Sequence, residues 1–594
     1  MEISNRIQYL RQLMKDKNID IYIVPSADFH QSEYVGDYFK SREFITGFTG
    51  STGIAVITNH YAGLWTDGRY FIQAEHELAN TEIKLNKIGF SGTISLDDFL
   101  LSTCPENGTI AFDGRVVSIT EGIHYEDLLK LKHIQIKYDE DLINEIWKHR
   151  PALSSEPAFL LNEDITGQTR LSKINCLRDK IQSSGASAHL LSSLDDIAWL
   201  LNMRGNDVKY TPVVLAHLWI TLNELHLFID NNKLSNDVKT KLLNDGIALH
   251  SYDEIYHFLQ NYDLNVTVML DPSKVSYSLY RSLPETVENI QLPNPSTLLK
   301  SQKNEIEVQN SKNAHLKDAI AHTKFLYWLK TNYHTSTITE LDAIKKLESL
   351  RSEQKHFISP SFETISAFGP HAAMCHYSSS PETNSILKEG SLYLVDSGGH
   401  YLDGSTDITR TIALGTIAPN LKTDYTNVLR GNLALSKAKF LHGCTGENLD
   451  ILARQFLWNQ EQDYMHGTGH GVGNLLSVHE GPCNIKWRYR GTPISLEDGM
   501  ILSNEPGLYI ENSHGIRLEN ELLVRKGVSN IYGQFMYFET LTHVPFDLDA
   551  IDETMLTTEE KTQLNAYHKK VFDLVSPHLT SDEKDWLKIY TRAL

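Results

Sequence analysis

The stretch from Asp396 to Glu519 constrains this chain most strongly, because it carries four carboxylates and several histidines in short, glycine-punctuated, strand-like segments. The carboxylates are those of Asp396, Asp407, Glu505 and Glu519. Four converging carboxylates without cations would repel one another and would be costly to bury. We therefore expect a site for two divalent ions, whose charge would offset that of the four side chains.

The spacing of the carboxylates predicts how they converge. A run of apolar residues typical of a buried strand precedes Asp396, and Asp403-Gly404 is a hairpin-type turn that sends the chain back. Asp396 and Asp407 can then approach each other across the two strands. A similar apolar run leads to Glu505, and Glu519 is predicted to lie within a strand of alternating pattern.

Two histidines add to the carboxylates. His466 and His470 are four residues apart, but the glycines between and after them disfavour a helix by about 1 kcal/mol each, so we predict an extended loop with both imidazoles on one side. One imidazole would complete a five-residue set for two ions, and the other would bind substrate or transfer protons. An oxygen-rich set with one histidine suits Mn²⁺ or Co²⁺, with Zn²⁺ as an alternative. The expected chemistry is amide hydrolysis by a bridging hydroxide.

Composition excludes several classes of function. The net charge of -20 argues against a nucleic-acid partner. No apolar run approaches the roughly 20 residues that span a bilayer, and the N-terminus lacks a signal-peptide core. The 5 cysteines are odd in number and form no C-x-x-C pair, which favours reduced thiols and argues against thiolate zinc. We expect a cytoplasmic protein with no membrane partner.

The sequence predicts several domains. A helix followed by a strand at the start, and again after the linker-like segment 151–157, predicts two α/β units of similar size. Prolines at 293 and 295 predict the next boundary, and a capping box at 337–340 predicts a helix start after a long helix over 306–329. Two C-terminal helices with apolar faces either pack on the third domain, which we favour, or form a subunit contact. The predicted bounds are 1–153, 154–298, 299–545 and 546–594.

At these residues a family resemblance appears. In order and spacing, the metal-binding set resembles the five ligands of the pita-bread metallopeptidases: Asp396, Asp407, His470, Glu505 and Glu519. The segments 195–205 and 538–545, with others upstream, extend the resemblance over essentially the whole chain to the three-domain cytosolic X-prolyl aminopeptidases (aminopeptidase P). It implies an α/β (α+β) architecture: two tandem creatinase-like N-terminal domains, then a pita-bread catalytic domain with an antiparallel sheet, covering helices and a helical extension.

The resemblance also implies a function and roles for residues. It implies release of the N-terminal residue from peptides with proline second, by a homodimer holding two divalent ions, with Mn²⁺ expected. Asp396 would chelate one ion, Asp407 and Glu519 would bridge both, and His470 and Glu505 would hold the other. Three histidines match those that contact substrate and transition state in the family: His376, His466 and His479.

Three alternative functions compete with this one. A prolidase would cleave only Xaa-Pro dipeptides, a creatinase would use the scaffold without metal, and a catalytically dead module would bind peptides or histones. The five intact ligands argue against the last two, and the two N-terminal domains with the C-terminal helices argue against prolidase. The chain departs from its relatives at His371 and Cys375, where neutral or aliphatic residues are more common.

Overall fold

In the computed structural model the chain forms two compact units. Unit 1 comprises Met1–Leu161 and Gln168–Thr297, and unit 2 comprises Asn162–Gly167 and Leu298–Leu594. The structure describes residues 2–261, 265–488 and 491–594. No helix within these ranges is both long and apolar enough to cross a membrane. The four domain bounds given above stay predictions.

Unit 1 contains two six-stranded sheets with the same strand order and the same parallel and antiparallel pairings. The first sheet, from edge to edge, consists of Lys84–Lys87, Ala62–Thr66, Ile54–Thr58, Ile21–Pro25, Thr109–Ala111 and Gln135–Lys137. The second consists of Ala248–His250, Leu225–Ile229, Ala216–Thr221, Ala188–Leu191, Val268–Leu270 and Asn289–Gln291. A ribbon pairs Phe159–Leu160 with Met203–Arg204. The repeated topology confirms the two tandem α/β units.

Helices cover both faces of the first sheet. In the strand Ile21–Pro25, Ile21 and Ile23 pack in one apolar cluster, whereas Tyr22 and Val24 pack in another. A strand buried on both faces therefore has no polar side, as is usual where helices flank a sheet. The α-helices of unit 1 are Ile3–Asp16, Ser41–Thr46, Phe71–Leu78, Leu96–Thr103, Ile119–Leu129, Leu142–Ile146, Arg170–Ser183, Leu194–Leu200, Asn236–Asn244, Glu254–Asn261 and Tyr277–Arg281. Helix Pro295–Ser301 crosses the division between the units in sequence.

Unit 2 is built on mainly antiparallel sheets, as predicted for the catalytic domain. Its six-stranded sheet consists of Lys439–Leu441, Gly533–Thr540, Asn520–Asn530, Ile501–Asn504, Gly469–Gly471 and Glu480–Ile485. Two three-stranded sheets consist of Ile365–Phe368, Ser391–Ser397 and Ile408–Leu414, and of Phe357–Pro360, Gly399–Tyr401 and Gly404–Ser405. A ribbon pairs Gly507–Ile510 with His514–Arg517.

Helices pack around the sheets of unit 2. They are Glu163–Thr166, Glu305–Asn332, Glu340–Ser352, Pro419–Ser436, Gly446–Trp458, Thr558–Val575 and Ser581–Tyr590. Val571 and Leu587 of the last two helices share an apolar cluster with Leu329 and Ile412, and Leu564 packs with Ile516 in another. The C-terminal helices therefore cover the catalytic domain, which confirms the favoured interpretation.

Two local predictions are wrong. Helix Glu340–Ser352 begins after Thr339, not at the predicted box over 337–340, because the Thr339 side chain and the Asp342 carboxylate bond reciprocally to each other's backbone N–H. Glu519 does not lie within a strand. It falls between His514–Arg517 and Asn520–Asn530, where the chain crosses from the ribbon to the six-stranded sheet.

Candidate metal centre

Neighbouring antiparallel strands bring the two aspartates together. Asp396 lies opposite Thr409 in the pairing of Ser391–Ser397 with Ile408–Leu414, and Asp407 directly precedes the second of these strands. Both aspartates are buried, and so is Glu519, which is 1% exposed. One ligand atom each from Asp407, His470 and Glu519 lie within 4.8 Å of one another. The antiparallel pairing lets Asp396 and Asp407 approach each other across the two strands, as the sequence predicted.

Glu519 reaches this cluster because the chain crosses between two sheets there. Its backbone N–H donates to the carbonyl of Thr409 at 3.1 Å, and the Thr409 hydroxyl donates to the Glu519 carboxylate at 2.7 Å. Glu505 follows the strand Ile501–Asn504, as predicted, and its backbone N–H donates to the carbonyl of Thr468 at 2.8 Å. Both glutamates are thus held by backbone as well as side-chain contacts.

His470 is oriented as a ligand would be. Its Nδ1 lies 3.0 Å from the carbonyl oxygen of Gly471, so Nδ1 carries the proton and Nε2 keeps its lone pair. Nε2 lies 3.7 Å from Asp407 Oδ2 and 3.6 Å from Glu505 Oε1. Ligand atoms held at roughly 2.1 Å from one ion lie roughly 3 to 4 Å from each other, so His470 lies close enough to each of these two carboxylates to share an ion with it.

The electrostatics of the cluster call for cations. Burial, with the charges of neighbouring carboxylates, raises the pKa of Asp407 and of Glu519 well above their usual values. Burial also raises the pKa of Glu505 to about 7, against the opposing effect of Arg517. Asp396 Oδ2 accepts a bond from Arg517 at 2.5 Å, whereas its buried Oδ1 has no hydrogen-bond partner in the described part of the chain. Divalent cations fit this donor set. A cation would give Asp396 Oδ1 a partner and would favour the ionised form of the carboxylates.

His466 is built into a different network. Its Nδ1 donates to the Gly467 carbonyl at 2.8 Å, and its Nε2 lies 2.8 Å from the Tyr509 hydroxyl. Arg517 donates to the same hydroxyl at 2.7 Å, so a chain of bonds runs from His466 through Tyr509 and Arg517 to Asp396. Burial lowers the pKa of His466 well below its usual value, which keeps the imidazole neutral. His466 and His470, which were predicted to lie on one side of the loop, therefore belong to two different hydrogen-bond networks.

The other two predicted histidines lie in the same neighbourhood. The His479 ring stands edge-on to that of His470, with centroids 4.4 Å apart. His376 lies close enough to His466 to contribute electrostatically to the lowered pKa of His466. Asp407, His470 and Glu519 form the close group, and the other predicted residues adjoin it through the contacts given above. The division of all these residues into ligands and catalytic groups stays a prediction.

The sequence interpretation missed Arg517 and Tyr509. Arg517 precedes Glu519 by two residues, so a period of two would have placed a cation on the same side as a carboxylate, and that signal was available. No comparable pattern indicated Tyr509. It lies in the ribbon strand Gly507–Ile510, more than forty residues from His466 in sequence, and its hydroxyl contacts the His466 imidazole. Of the two departures from the family pattern, His371 lies 2.9 Å from the buried carboxylate of Glu340.

The chain is similar to known proteins over almost its whole length. Family models match in four segments: Creatinase/Prolidase N-terminal domain at residues 6–141 and again at 149–307, Metallopeptidase family M24 at 309–526, and the C-terminal region of peptidase M24 at 534–594. The chain is 39% identical to Xaa-Pro aminopeptidase 1 of Dictyostelium discoideum, over 99% of this chain and 96% of that protein. The chain belongs to the Xaa-Pro aminopeptidase family of M24 metallopeptidases.

Other relatives agree with this assignment. The probable Xaa-Pro aminopeptidase P of Botryotinia fuckeliana is 37% identical, over 98% of this chain and 92% of that protein. A crystal structure of X-prolyl aminopeptidase from Caenorhabditis elegans, described as a cytosolic enzyme with a dinuclear active site, is similar over 100% of both chains, with a TM-score of 0.96 and 34% identity. The family membership confirms the creatinase-like and M24 architecture inferred from the sequence.

Proposed function

We propose that this chain is an aminopeptidase that uses two divalent ions to release the N-terminal residue from peptides with proline in the second position. The similarity over the full length to Xaa-Pro aminopeptidases carries this proposal. The buried cluster of carboxylates around His470 supports it independently, because such a cluster needs cations.

The ligand roles belong to the proposal. Asp396 would hold one ion, Asp407 and Glu519 would contact both, and His470 and Glu505 would hold the other. With four carboxylates and one imidazole, the set favours Mn²⁺, with Co²⁺ and Zn²⁺ as alternatives. We also propose a cytoplasmic homodimer without nucleic-acid or membrane partners, which gel filtration with light scattering and cell fractionation would test.

The protein's own groups would orient the substrate. Two bound ions would supply a nucleophile derived from water and would polarise the scissile carbonyl. Imidazole N–H groups of His376 and His479 would donate to carbonyl oxygens, and these bonds strengthen as negative charge develops in the transition state. Neutral His466, whose Nε2 faces the Tyr509 hydroxyl, would keep Arg517 and hence Asp396 in place. The free amine of the peptide would meet the carboxylate cluster.

Proline in the second position follows from the same chemistry. An Xaa-Pro bond is a tertiary amide without an N–H, and its ring fixes φ, so an enzyme that binds that N–H or an extended strand rejects it. A site that acts on the carbonyl alone accepts it. The anchoring of the amine also predicts that an acetylated N-terminus is not cleaved.

A panel of four peptides tests the proposal: Arg-Pro-Pro, Arg-Ala-Pro, acetyl-Arg-Pro-Pro and Arg-Pro, each with saturating Mn²⁺. We expect arginine to be released fastest from Arg-Pro-Pro and not at all from the acetylated peptide. Equal rates for Arg-Ala-Pro would reject specificity for proline. A preference for the dipeptide would instead make the enzyme a prolidase.

A further inference from the structure

Arg410 is a buried cation with neutral partners. The residue is 1% exposed, and within the ranges that the structure describes no carboxylate forms an ion pair with its guanidinium. Burying a charge without a counter-charge is costly, so its bonds must serve the structure around it. It has six acceptors: the carbonyls of Thr409, Glu519, Val544 and Pro545, the Asn520 side chain and the Tyr567 hydroxyl.

Two of these acceptors belong to the metal cluster's own backbone. One guanidinium nitrogen, Nη1, donates to the carbonyl of Thr409 at 2.9 Å and to that of Glu519 at 2.5 Å. Thr409 lies two residues beyond Asp407, and Glu519 is itself a proposed ligand. A single donor group therefore joins the two segments that carry the ligands proposed to contact both ions.

The C-terminal helix supports Arg410 from the other side. Tyr567, in helix Thr558–Val575, receives a bond from Arg410 Nη2 at 3.0 Å and donates to the Val544 carbonyl at 2.7 Å. The Phe546 ring packs against both, with its centroid 4.3 Å from the Arg410 guanidinium carbon and 5.2 Å from the Tyr567 ring centroid. The helix thus provides an acceptor for the cation and orders the loop that provides two more.

We propose that Arg410, supported by Tyr567 of the C-terminal helix, is a positioning residue that holds Asp407 and Glu519 at the spacing needed for two ions. The inference rests on the proposed metal site. It gives the C-terminal helices a role in metal binding, although neither helix supplies a ligand. Partners of metal ligands typically change affinity by roughly 10- to 100-fold when they are removed.

The test measures metal affinity separately from stability. Metal-stripped protein is titrated with Mn²⁺ by calorimetry, and its thermal unfolding is recorded without metal. We expect Arg410→Lys to weaken binding of the more weakly held ion by roughly 10- to 100-fold, because the lysine ammonium ends one bond short of the position of Nη1 and has only three donors for the six acceptors. Arg42→Lys is the matched control, since Arg42 is also buried, bonds the carbonyls of Phe48 and Gly50, and lies over a phenylalanine ring.

The two measurements distinguish a specific effect on Mn²⁺ affinity from a general loss of stability. Arg42→Lys is expected to lower thermal stability and leave Mn²⁺ affinity within about twofold of wild type, since it touches no ligand segment. If Arg410→Lys does not fold, Tyr567→Phe tests the same support and is expected to weaken binding of the more weakly held ion by roughly three- to tenfold, since it removes one hydrogen bond to Arg410. Wild-type Mn²⁺ affinity in the folded Arg410 or Tyr567 variant would overturn the inference. If wild-type protein binds two ions without cleaving Xaa-Pro peptides, the activity proposal fails and this one stands.

Discussion

Replacing Thr409 by valine should weaken the metal site more than it weakens the fold. The Thr409 hydroxyl donates to the Glu519 carboxylate at 2.7 Å and accepts from Arg517 Nε at 3.2 Å, and the residue is fully buried. Valine has the same shape but leaves both charged partners one bond short. At 1 to 3 kcal/mol for each of the two buried groups left unsatisfied, we expect a loss of about 2 to 6 kcal/mol in the free energy of unfolding.

The same strand offers a matched control. Thr411 lies on the same face, is equally buried and also makes two bonds, but both are to the backbone of Arg517, at 3.0 and 3.1 Å. Thr411→Val should therefore destabilise by a comparable amount, about 2 to 6 kcal/mol, and keep wild-type metal affinity. Thr409→Val should in addition lose roughly 10- to 100-fold in Mn²⁺ affinity.

Urea unfolding and Mn²⁺ titration of both variants give the two quantities. Equal metal affinities in Thr409→Val and Thr411→Val would refute the reasoning, because the bond to the carboxylate would then have no separate effect. A larger loss of affinity in Thr411→Val would refute it as well.

Three further predictions concern the cluster and the buried histidines. Glu519→Gln should lose one bound ion and orders of magnitude in turnover while the circular dichroism spectrum persists; two tightly held ions with normal turnover would contradict its role. His470→Ala should lower metal content, whereas His479→Ala should keep the metal and lose rate, and equal metal loss in both would remove this distinction. Burial lowers the pKa of both His322 and His568 to about 3. Because the unfolded chain binds protons below about pH 6.5, these two histidines should remove stability as pH drops from there toward 3, by about 2 kcal/mol each at pH 5, whereas the raised pKa values of Asp407, Glu505 and Glu519 act in the opposite direction in metal-free protein. The measurement is therefore the change in urea midpoint between pH 8 and pH 5 in wild type and in His568→Gln, and an equal change in both would contradict this.

The sequence predicted those parts of the site that depend on local pattern. Asp396 and Asp407 could be paired in advance because a strand, an Asp-Gly turn and a returning strand lie in one continuous stretch. Glu519 was placed near the others but in the wrong local structure. Its position depends on the bond from its N–H to the Thr409 carbonyl, which lies on a strand more than a hundred residues earlier.

The supporting residues could not be predicted in the same way. Arg410 bonds carbonyls of residues 544 and 545, and no local pattern indicates which backbone oxygens a distant arginine will meet. The tandem α/β units were suggested by a repeated helix and strand, but the identical strand order of the two sheets depends on pairings between distant segments. Long-range pairing, not local propensity, decides both features.

The most direct test of the account is to follow arginine release from Arg-Pro-Pro while metal-stripped protein takes up Mn²⁺, with bound metal counted by elemental analysis at each step. The account predicts no release without metal, full activity at two ions per chain, and proline-containing dipeptide as the only other product. Full activity in the presence of a chelator, saturation of activity without any bound ion, or cleavage after the proline would contradict it.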